Sequence, residues 1–597
     1  MKSYYKITVL IAVLFVITAF NSSDKSPKIT SGEVMEHVKY LASDELAGRF
    51  PGTKGDSLAE DYIIKQFTSY KLKPAGEDGF KQSFNYVSEV RLGENNSLIF
   101  TSVNVNLPLK AVEDYIPLGF SPVGGAEGKL VFAGYGINAP EQNYNDFKDI
   151  DLKGKIAVIL RNSPGYNNPH DNPFASYENP RRKSNMVKEA GAIGVIIING
   201  PNHGEDELMR LRVSSEKLEI PAVSMKRGKI EELFKLNNKD LAKIQADMDS
   251  LKTTASFDIP DANAKIQVDL KFITSYTNNI IGMIEGSDPV LKNEVIVVGA
   301  HMDHLGDGMK YGSLHDSHEP AIHNGADDNA SGVAGILEMA QYYSDKKKSL
   351  KRSIIFMTFS AEEAGLIGSA YFTKSELFKK YNIVSMLNLD MIGRLADNKL
   401  TVGGVGTSGV WDKMLDSLNG ISKFALSKNN EGFGPSDHSS FYAKEVPVLF
   451  FFTSLHSDYH RPTDDWDKIN AGGEVKILDM VVNVIDCINN LAVKPDYIKS
   501  KEDPNVTKNT GFRVTLGIIP DYSSSSDGLS ITGVKSGSVG EKAGLKANDV
   551  IKKMGDFEIK NIYDYTDALS RFKPGDETVL IVKRGEEELT LNVAFKK

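Results

Sequence analysis

The chain has a single cysteine, Cys487, among 597 residues, so it has no partner for an internal disulfide. Positive charge is not in excess either, because 70 Lys and Arg stand against 79 Asp and Glu, with a formal net charge of −9. This balance argues against a nucleic-acid-binding or anionic-membrane-binding protein, since no basic face compensates for it. The sequence also has no internal repeat, low-complexity tract or long block of like charge. It therefore has the composition of an ordinary globular protein.

One long hydrophobic run is present near the start of the chain, Ile7–Phe20, and it follows Lys2 and Lys6. A charged start before a short apolar stretch is typical of a secretory signal. The run is short for a membrane span, although it is also compatible with an uncleaved N-terminal anchor. We expect an exported protein, periplasmic or secreted, with a signal peptide over residues 1–22.

The length and an apolar content of 41% predict two to four globular domains. Residues 28–112 open with two helical patterns, and residues 113–265 contain short β-branched strands between glycine turns. In residues 266–495, continuous apolar strands alternate with amphipathic helices, which indicates an α/β sheet covered on both faces. A polar linker at 496–508 precedes a small β-rich unit at 509–597.

Acidic and histidine side chains follow the predicted strands of residues 266–495. They are, in chain order, His301, Asp303, Asp327, Asp328, Glu362, Glu363, Asp390 and His460. Ligands bind at the carboxyl ends of strands in open α/β sheets, so we expect these side chains to lie together. Each alone is also compatible with a solvated loop or a helix N-terminus. Agreement at five strand ends favours a metal site, and histidine with carboxylate favours Zn²⁺ over Mn²⁺ or Co²⁺.

These residues stand in the motifs "HMD", "GADDNASG", "SAEEAG", "NLDM" and "YHRPTDD", which span most of residues 270–495. Their order resembles that of the bacterial dizinc aminopeptidases, a family related to glutamate carboxypeptidase, glutaminyl cyclase and the transferrin receptor ectodomain. The resemblance implies a mixed-sheet zinc exopeptidase domain that holds two Zn²⁺ ions. It implies that Asp328 bridges the ions. His301 and Asp390 would complete one site, and Glu363 and His460 would complete the other.

The same resemblance implies three catalytic residues. Glu362 would be the general base for a metal-activated water. Asp303 would orient His301 through the ring nitrogen that faces away from the metal. Tyr459 matches a position where some relatives carry an oxyanion-binding tyrosine. Four other histidines are interpreted as loop residues: His304, His315, His318 and His456.

Two accessory units also resemble known domains. The strands "GKIAVILRN", "GAIGVIIING" and "IPAVSM" resemble the β-rich protease-associated domain inserted in many members of this family. It would either shape the substrate cleft or be a structural insertion without substrate contact. The end of the chain resembles a PDZ domain, in which "VTLGIIP" fits the carboxylate-binding loop. Backbone N–H groups of Leu516, Gly517 and Ile518 would then hold the C-terminal carboxylate of a peptide ligand.

We therefore expect an exported dizinc metallo-aminopeptidase that acts on peptide substrates, with no nucleic-acid partner and no membrane span beyond the signal segment. A carboxypeptidase or another amide hydrolase on the same centre is an alternative, as is a non-catalytic, PDZ-mediated binding protein. An aminopeptidase is favoured because the strand ends carry acids that can pair with a free α-ammonium group. A carboxypeptidase needs a basic group for the terminal carboxylate, and the nearest candidates are Arg394 and Arg461.

Overall fold

A computed structural model describes residues 28–500 and 514–595, with short gaps in both ranges. The gaps are residues 103–104, 167–171, 175–176, 215–216, 316, 318, 521–527, 535–537, 560–563, 566–567, 570 and 574. The predicted signal peptide, His318 and most of the predicted linker lie outside the described residues. Among the described residues, no helix has the length and apolar character needed to cross a membrane.

Two helices open the described chain, α1 (Ser31–Leu41) and α2 (Lys54–Ser69). Each starts behind a threonine, Thr30 or Thr53, whose hydroxyl accepts a backbone N–H of the first turn. Their apolar faces pack into the main core of the molecule. Two strands follow, β1 (Lys73–Pro74) and β2 (Lys81–Leu92).

The next part of the chain forms a separate β-rich domain with its own core. Its eight-stranded sheet has the order β4-β3-β12-β6-β9-β10-β11-β5, and β7 and β8 pair with each other outside it. The strands are β3 (Ser97–Ser102), β4 (Val105–Leu109), β5 (Tyr115–Pro117), β6 (Gly124–Phe132), β7 (Asn138–Ala139), β8 (Tyr144–Asn145), β9 (Ile156–Leu160), β10 (Gly194–Ile198), β11 (Ala222–Met225) and β12 (Phe257–Val268). The helices are α3 (Pro180–Glu189), α4 (Gly228–Leu236) and α5 (Leu241–Leu251).

This domain is an insertion into the main sheet. Strand β2 pairs antiparallel with β13 (Leu270–Ile284), and Leu92 lies opposite Leu270 in that ladder. The chain therefore enters and leaves the inserted domain through two neighbouring strands. Because β3 and β4 pair within the inserted sheet, that sheet starts before the predicted boundary at residue 113.

The main sheet has nine strands in the order β1-β13-β15-β14-β16-β19-β17-β18, with β2 beside β13. Its remaining strands are β14 (Glu294–His301), β15 (Ser353–Phe359), β16 (Asn382–Leu389), β17 (Lys399–Gly403), β18 (Ala425–Lys428) and β19 (Val448–Phe452). The helices are α6 (Gly332–Lys346), α7 (Ile367–Lys374), α8 (Glu376–Lys380), α9 (Trp411–Ser422), α10 (His438–Tyr442) and α11 (Ala471–Asn490). Apolar clusters cover both faces of the sheet, which explains why its central strands read as continuous apolar runs.

The C-terminal domain has a third, separate core and a sheet of six strands. They are β20 (Ile518–Pro520), β21 (Leu529–Val534), β22 (Val550–Met554), β23 (Phe557–Glu558), β24 (Glu577–Arg584) and β25 (Glu587–Ala594), with the short helix α12 (Val539–Ala543). The predicted architecture is confirmed: a mixed-sheet α/β domain carries a β-rich insertion and a C-terminal β-rich domain.

Candidate metal centre and active site

Four neighbouring parallel strands, β15, β14, β16 and β19, end at one edge of the main sheet. His301 is the last residue of β14, and Glu363 lies in the loop after β15. Asp390 directly follows β16, and His460 lies in the loop after β19. The parallel order thus brings residues that are distant in sequence to one place, as the strand pattern predicts.

Asp328 lies between two pairs of these residues. Its Oδ1 is 3.2 Å from His301 Nε2, and the same nitrogen is 3.5 Å from Asp390 Oδ1. Its Oδ2 is 3.3 Å from His460 Nε2, which is 3.1 Å from Glu363 Oε2. The two oxygens of Asp328 therefore face two separate histidine–carboxylate pairs. The arrangement matches the two predicted metal sites, and the ligand roles themselves stay predictions.

The spacing and the electrostatics of this cluster fit divalent cations. Ligand atoms held at about 2.0–2.1 Å in a tetrahedron lie about 3.3 Å apart, which is the separation seen around both histidines. Burial lowers the pKa of His301, but the carboxylates of Glu362 and Asp390 outweigh it and raise that pKa well above its ordinary value. Burial likewise opposes protonation of His460, yet Glu363 and Asp328 raise its pKa to about 11. The carboxylates of the site thus stabilise positive charge, and two divalent cations would supply that charge.

Glu362 faces the His301 side of the cluster. Ligand atoms of Glu362, His301 and Asp390 all lie within 4.8 Å of one another. Burial raises the pKa of Glu362 well above its ordinary value, and the nearby carboxylates of Asp437 and Glu363 add to the effect. This position suits a proton acceptor beside the first metal site, and it would also suit a ligand. The assignment of Glu362 as general base stays a prediction.

Asp303 acts on its neighbours differently from the expectation. The carboxylate of this buried residue accepts the backbone N–H groups of Glu362 at 3.0 Å and Glu363 at 3.4 Å. The ring of His301 is oriented by a main-chain group instead, since its Nδ1 lies 3.2 Å from the carbonyl oxygen of Asp303 and 3.9 Å from its Oδ1. Asp303 therefore positions His301 with its backbone and the glutamate pair with its side chain.

Tyr459 packs directly against a predicted ligand. Its ring stacks on that of His460, with centroids 3.8 Å apart and planes 22° apart. Burial, and then the negative charges of Asp328 and Glu363, raise the pKa of Tyr459. The hydroxyl is therefore held in its protonated, hydrogen-bond-donating form beside the cluster. Its proposed contact with an oxyanion stays a prediction.

Two histidines that the sequence analysis interpreted as loop residues lie in the site. His304 is fully buried, and its Nδ1 lies 2.7 Å from Glu363 Oε1 and 3.9 Å from Asp328 Oδ2. His456 Nε2 lies 3.2 Å from Asp327 Oδ2. Both residues lie in loops, as interpreted, but their side chains contact acids of the site instead of being simply solvated. The spacing "HMDH" brings His304 beside the first motif and is the one signal that could have identified it.

The site also contains a buried arginine from the N-terminal part of the chain. Arg49 donates to the carbonyl oxygens of Met302 at 2.8 Å, Asn324 at 2.7 Å and Gly325 at 2.9 Å. Burial lowers its pKa to about 10, although the carboxylates of the site oppose the shift. Arg49 therefore fixes the backbone of two of the motif loops and adds a positive charge behind the acids. Its motif, "LAGR", gave no signal of this contact.

Asp464 anchors the loop that carries Asp328. Its Oδ2 accepts the backbone N–H groups of Asp327 at 3.0 Å and Asp328 at 3.1 Å. Its Oδ1 accepts a hydrogen bond of 3.1 Å from Arg394, which also bonds Asp458 at 3.2 Å. Arg394 is therefore committed to two aspartates, and it is a poor candidate for holding a substrate carboxylate.

The predicted carboxylate loop of the C-terminal domain is only partly open. The carbonyl of Leu516 accepts the N–H of Gly540 at 2.8 Å. The N–H of Gly517 already donates to Thr515 Oγ1 at 3.0 Å. Ile518 begins β20, whose partner is β21. A bound carboxylate would have to compete with the threonine hydroxyl for Gly517, so the peptide-binding role stays a prediction.

The comparisons with known proteins agree with this organisation. Residues 279–485 match peptidase family M28, residues 126–233 match the PA domain, and residues 514–595 match the PDZ domain. The chain therefore contains a peptidase family M28 domain together with a PA and a PDZ domain, and the resemblance stated from the motifs is confirmed.

Individual relatives are aminopeptidases by name. Aminopeptidase YwaD of Bacillus subtilis is 27% identical over 382 residues, which cover 61% of this chain and 70% of that protein. An aminopeptidase of Pseudomonas aeruginosa is 24% identical over 364 residues, covering 60% of this chain and 56% of its own length. Among solved structures, BSAP, a zinc aminopeptidase from Bacillus subtilis, is 23% identical with a TM-score of 0.49, over 80% of this chain and 99% of that chain.

Proposed function

We propose that the protein is an exported dizinc metallo-aminopeptidase that removes N-terminal residues from peptides. The position of Asp328 between two histidine–carboxylate pairs carries this proposal. The relatives that are named aminopeptidases support it. Bound zinc would polarise the scissile carbonyl and lower the pKa of the attacking water.

The residues of the chain divide the remaining work. Glu362 takes the proton of the attacking water and passes it to the leaving amine, for which its raised pKa is suited. Asp303 holds the backbone of Glu362 in place for this transfer. The hydroxyl of Tyr459 donates to the oxygen that gains negative charge.

Elemental analysis tests directly whether Asp328 bridges two zinc ions. The zinc-loaded protein should contain two zinc ions per chain, and Asp328→Asn should lose zinc from both sites because it removes the shared ligand. Asp327→Asn is the matched control, since Asp327 Oδ2 faces His456 and its Oδ1 accepts the N–H of Gly393 at 2.7 Å. Zinc loss in Asp327→Asn alone would contradict the assignment of Asp328 as the bridging ligand.

The direction of cleavage rests on the charge of the site. A free α-ammonium group can pair with its carboxylates, whereas Arg394 is held by Asp458 and Asp464. Acetylation of a peptide's N-terminus should therefore abolish cleavage, and amidation of its C-terminus should change little. A protein that cleaves the acetylated peptide and stalls on the amidated one would be a carboxypeptidase instead.

Export is supported by the sequence of residues 1–22 alone. Cell fractionation and N-terminal sequencing should find the mature protein outside the cytoplasm, beginning near residues 19–23. A membrane-associated protein that retains its full N-terminus would instead indicate an uncleaved anchor.

A further inference from the structure

A cavity of about 820 Å³ lies where the PA domain meets the peptidase domain. Its wall contains four arginines of the PA domain, Arg161, Arg181, Arg210 and Arg212, and the peptidase residue His315. Among the described residues that form this wall, none is Asp or Glu. Four arginines around one cavity repel one another, because like charges in a confined space raise the electrostatic energy. Such a cluster is also unexpected in a chain whose net charge is −9.

The electrostatic repulsion between these arginines affects the pKa of Arg212. Burial lowers the pKa of Arg212, and the charges of Arg210 and Arg161 lower it further. The side chain of Arg181 is only 5% exposed, and its guanidinium lies 3.9 Å from the carboxylate of Asp564 in the PDZ domain. Pro180, the first residue of helix α3, also lines the cavity. The positive end of the helix dipole therefore adds to the positive potential there. An anion in the cavity would relieve this repulsion.

One loop joins the cavity to the metal centre. Arg210 donates to the main-chain oxygen of Ser317, in the same loop as His315. Earlier in that loop, the carbonyl oxygen of Gly312 lies 2.8 Å from His460 Nδ1, and the N–H of Leu314 donates to the carbonyl of His460 at 2.9 Å. Arg210 thus contacts the loop that orients a predicted zinc ligand, and His315 of the same loop lines the cavity.

We propose that this arginine pocket (Arg161, Arg181, Arg210 and Arg212) binds acidic side chains of peptide substrates, downstream of the bond that is cut. The inference rests on the proposed aminopeptidase function and names its substrate class: peptides with Asp or Glu a few residues after the N-terminus. Guanidinium groups suit this task because they bind carboxylates through paired hydrogen bonds. The PA domain then selects substrates, while the peptidase domain cuts them.

The test compares three hexapeptides that share the same N-terminal Leu-Ala and carry Asp-Asp, Asn-Asn or Lys-Lys at later positions. The pair is placed at positions 3 and 4 in one series and at 5 and 6 in another. With full-length, zinc-loaded protein, we expect kcat/KM for the Asp peptide of one series to exceed that of its Asn counterpart about tenfold, as partly buried arginine–carboxylate pairs would give. The Lys peptide should be poorest.

Variants locate the preference in the pocket. Arg212→Gln and Arg161→Gln should each reduce the ratio of kcat/KM between the Asp and Asn peptides. Arg227→Gln is the matched control, because Arg227 is a PA-domain arginine outside the pocket that pairs with Glu231 at 3.3 Å. An equal rate on the Asp and Asn peptides in the wild type, or a preference that survives in both pocket variants, overturns the proposal.

A binding measurement keeps the pocket testable if no peptide is cleaved. Fluorescein-labelled peptides are titrated with full-length Glu362→Gln protein, and with the same protein carrying Arg212→Gln as well. Tighter binding of the Asp peptide than of the Asn peptide, lost with Arg212→Gln, supports the pocket even if the proposed hydrolysis fails. Equal binding of both peptides, with inorganic phosphate bound in an Arg212-dependent way, would indicate a simple anion site and overturn the peptide assignment.

Discussion

The adjacent residues Glu362 and Glu363 have pKa values that are shifted in opposite directions. Burial and Asp328 raise the pKa of Glu363, but His460 and His304 outweigh them and hold it at about 2. The pKa of Glu362 moves in the other direction, since burial and neighbouring acids dominate there. Glu362 can therefore hold a proton while Glu363 stays ionised, which suits the predicted role of Glu363 as a metal ligand.

This difference predicts different phenotypes for two matched substitutions. Glu362→Gln should keep both metals and lose roughly 10²–10⁴ in rate, because the proton acceptor is removed. Glu363→Gln should lower the zinc content instead, because a ligand is weakened. Elemental analysis together with peptide hydrolysis separates the two results. An equal loss of zinc in both variants would mean that Glu362 is itself a ligand.

A second residue-scale prediction concerns His438, whose ring stacks on Phe450 with centroids 4.4 Å apart. Burial lowers its pKa to about 3, against about 6.5 in an unfolded chain. Between these values the unfolded state binds the extra proton, so the stability that neutral His438 contributes above pH 6.5 is lost as the pH falls toward 3. The melting temperature of the wild type should therefore fall more between pH 7 and 5 than that of His438→Phe. Equal decreases would contradict the buried, neutral state.

At the scale of strands and loops, the sequence predicts the strand ends well and the loop contacts poorly. His301, Glu363 and Asp390 are recognisable because each follows an apolar run that must be a buried strand. Arg49 and His304 cannot be recognised in this way. Arg49 bonds backbone atoms and His304 contacts the carboxylate of Glu363, and only the folded loops bring these partners near. Side chains that bind distant loops leave no periodic pattern in the sequence.

The loop that carries Asp328 gives a prediction at this scale. Asp464→Asn removes the ion pair with Arg394 and weakens the acceptor that holds the backbone of Asp328. We expect zinc affinity to fall about 10- to 100-fold with every ligand intact, as is common for groups that orient ligands. Chelator competition measures this change. The exposed Asp467→Asn is the control, and equal affinities in the two variants would show that the anchor is dispensable.

At the scale of the whole molecule, each of the three domains has its own hydrophobic core. The boundaries between them are harder to predict, because β3 pairs with the distant strand β12: Ser97 lies opposite Gln267. Strand composition predicts that a strand exists, whereas its partner depends on the folded chain.

The separate core of the PDZ domain predicts that the peptidase works without it. Its contacts with the rest of the chain include ion pairs such as Lys499–Glu541 at 3.0 Å and Arg571–Glu189. Ser500 must be kept, because its N–H and hydroxyl both bond the hydroxyl of Tyr442. A chain ending at residue 508 should hydrolyse an amino-acyl anilide about as fast as the full-length protein. Slow turnover by a folded, zinc-loaded chain would mean that the PDZ domain completes the active site.

The pairing of Leu92 with Leu270 has a consequence for how such a protein can diversify. Strands β2 and β13 are already the two arms of an antiparallel hairpin, and the PA domain occupies the place of its turn. A different domain, or a short turn, could replace residues 93–269 while the two arms kept their register. If the PA domain selects substrates as proposed, recombination at this one position would change the substrate range and leave the main sheet unchanged.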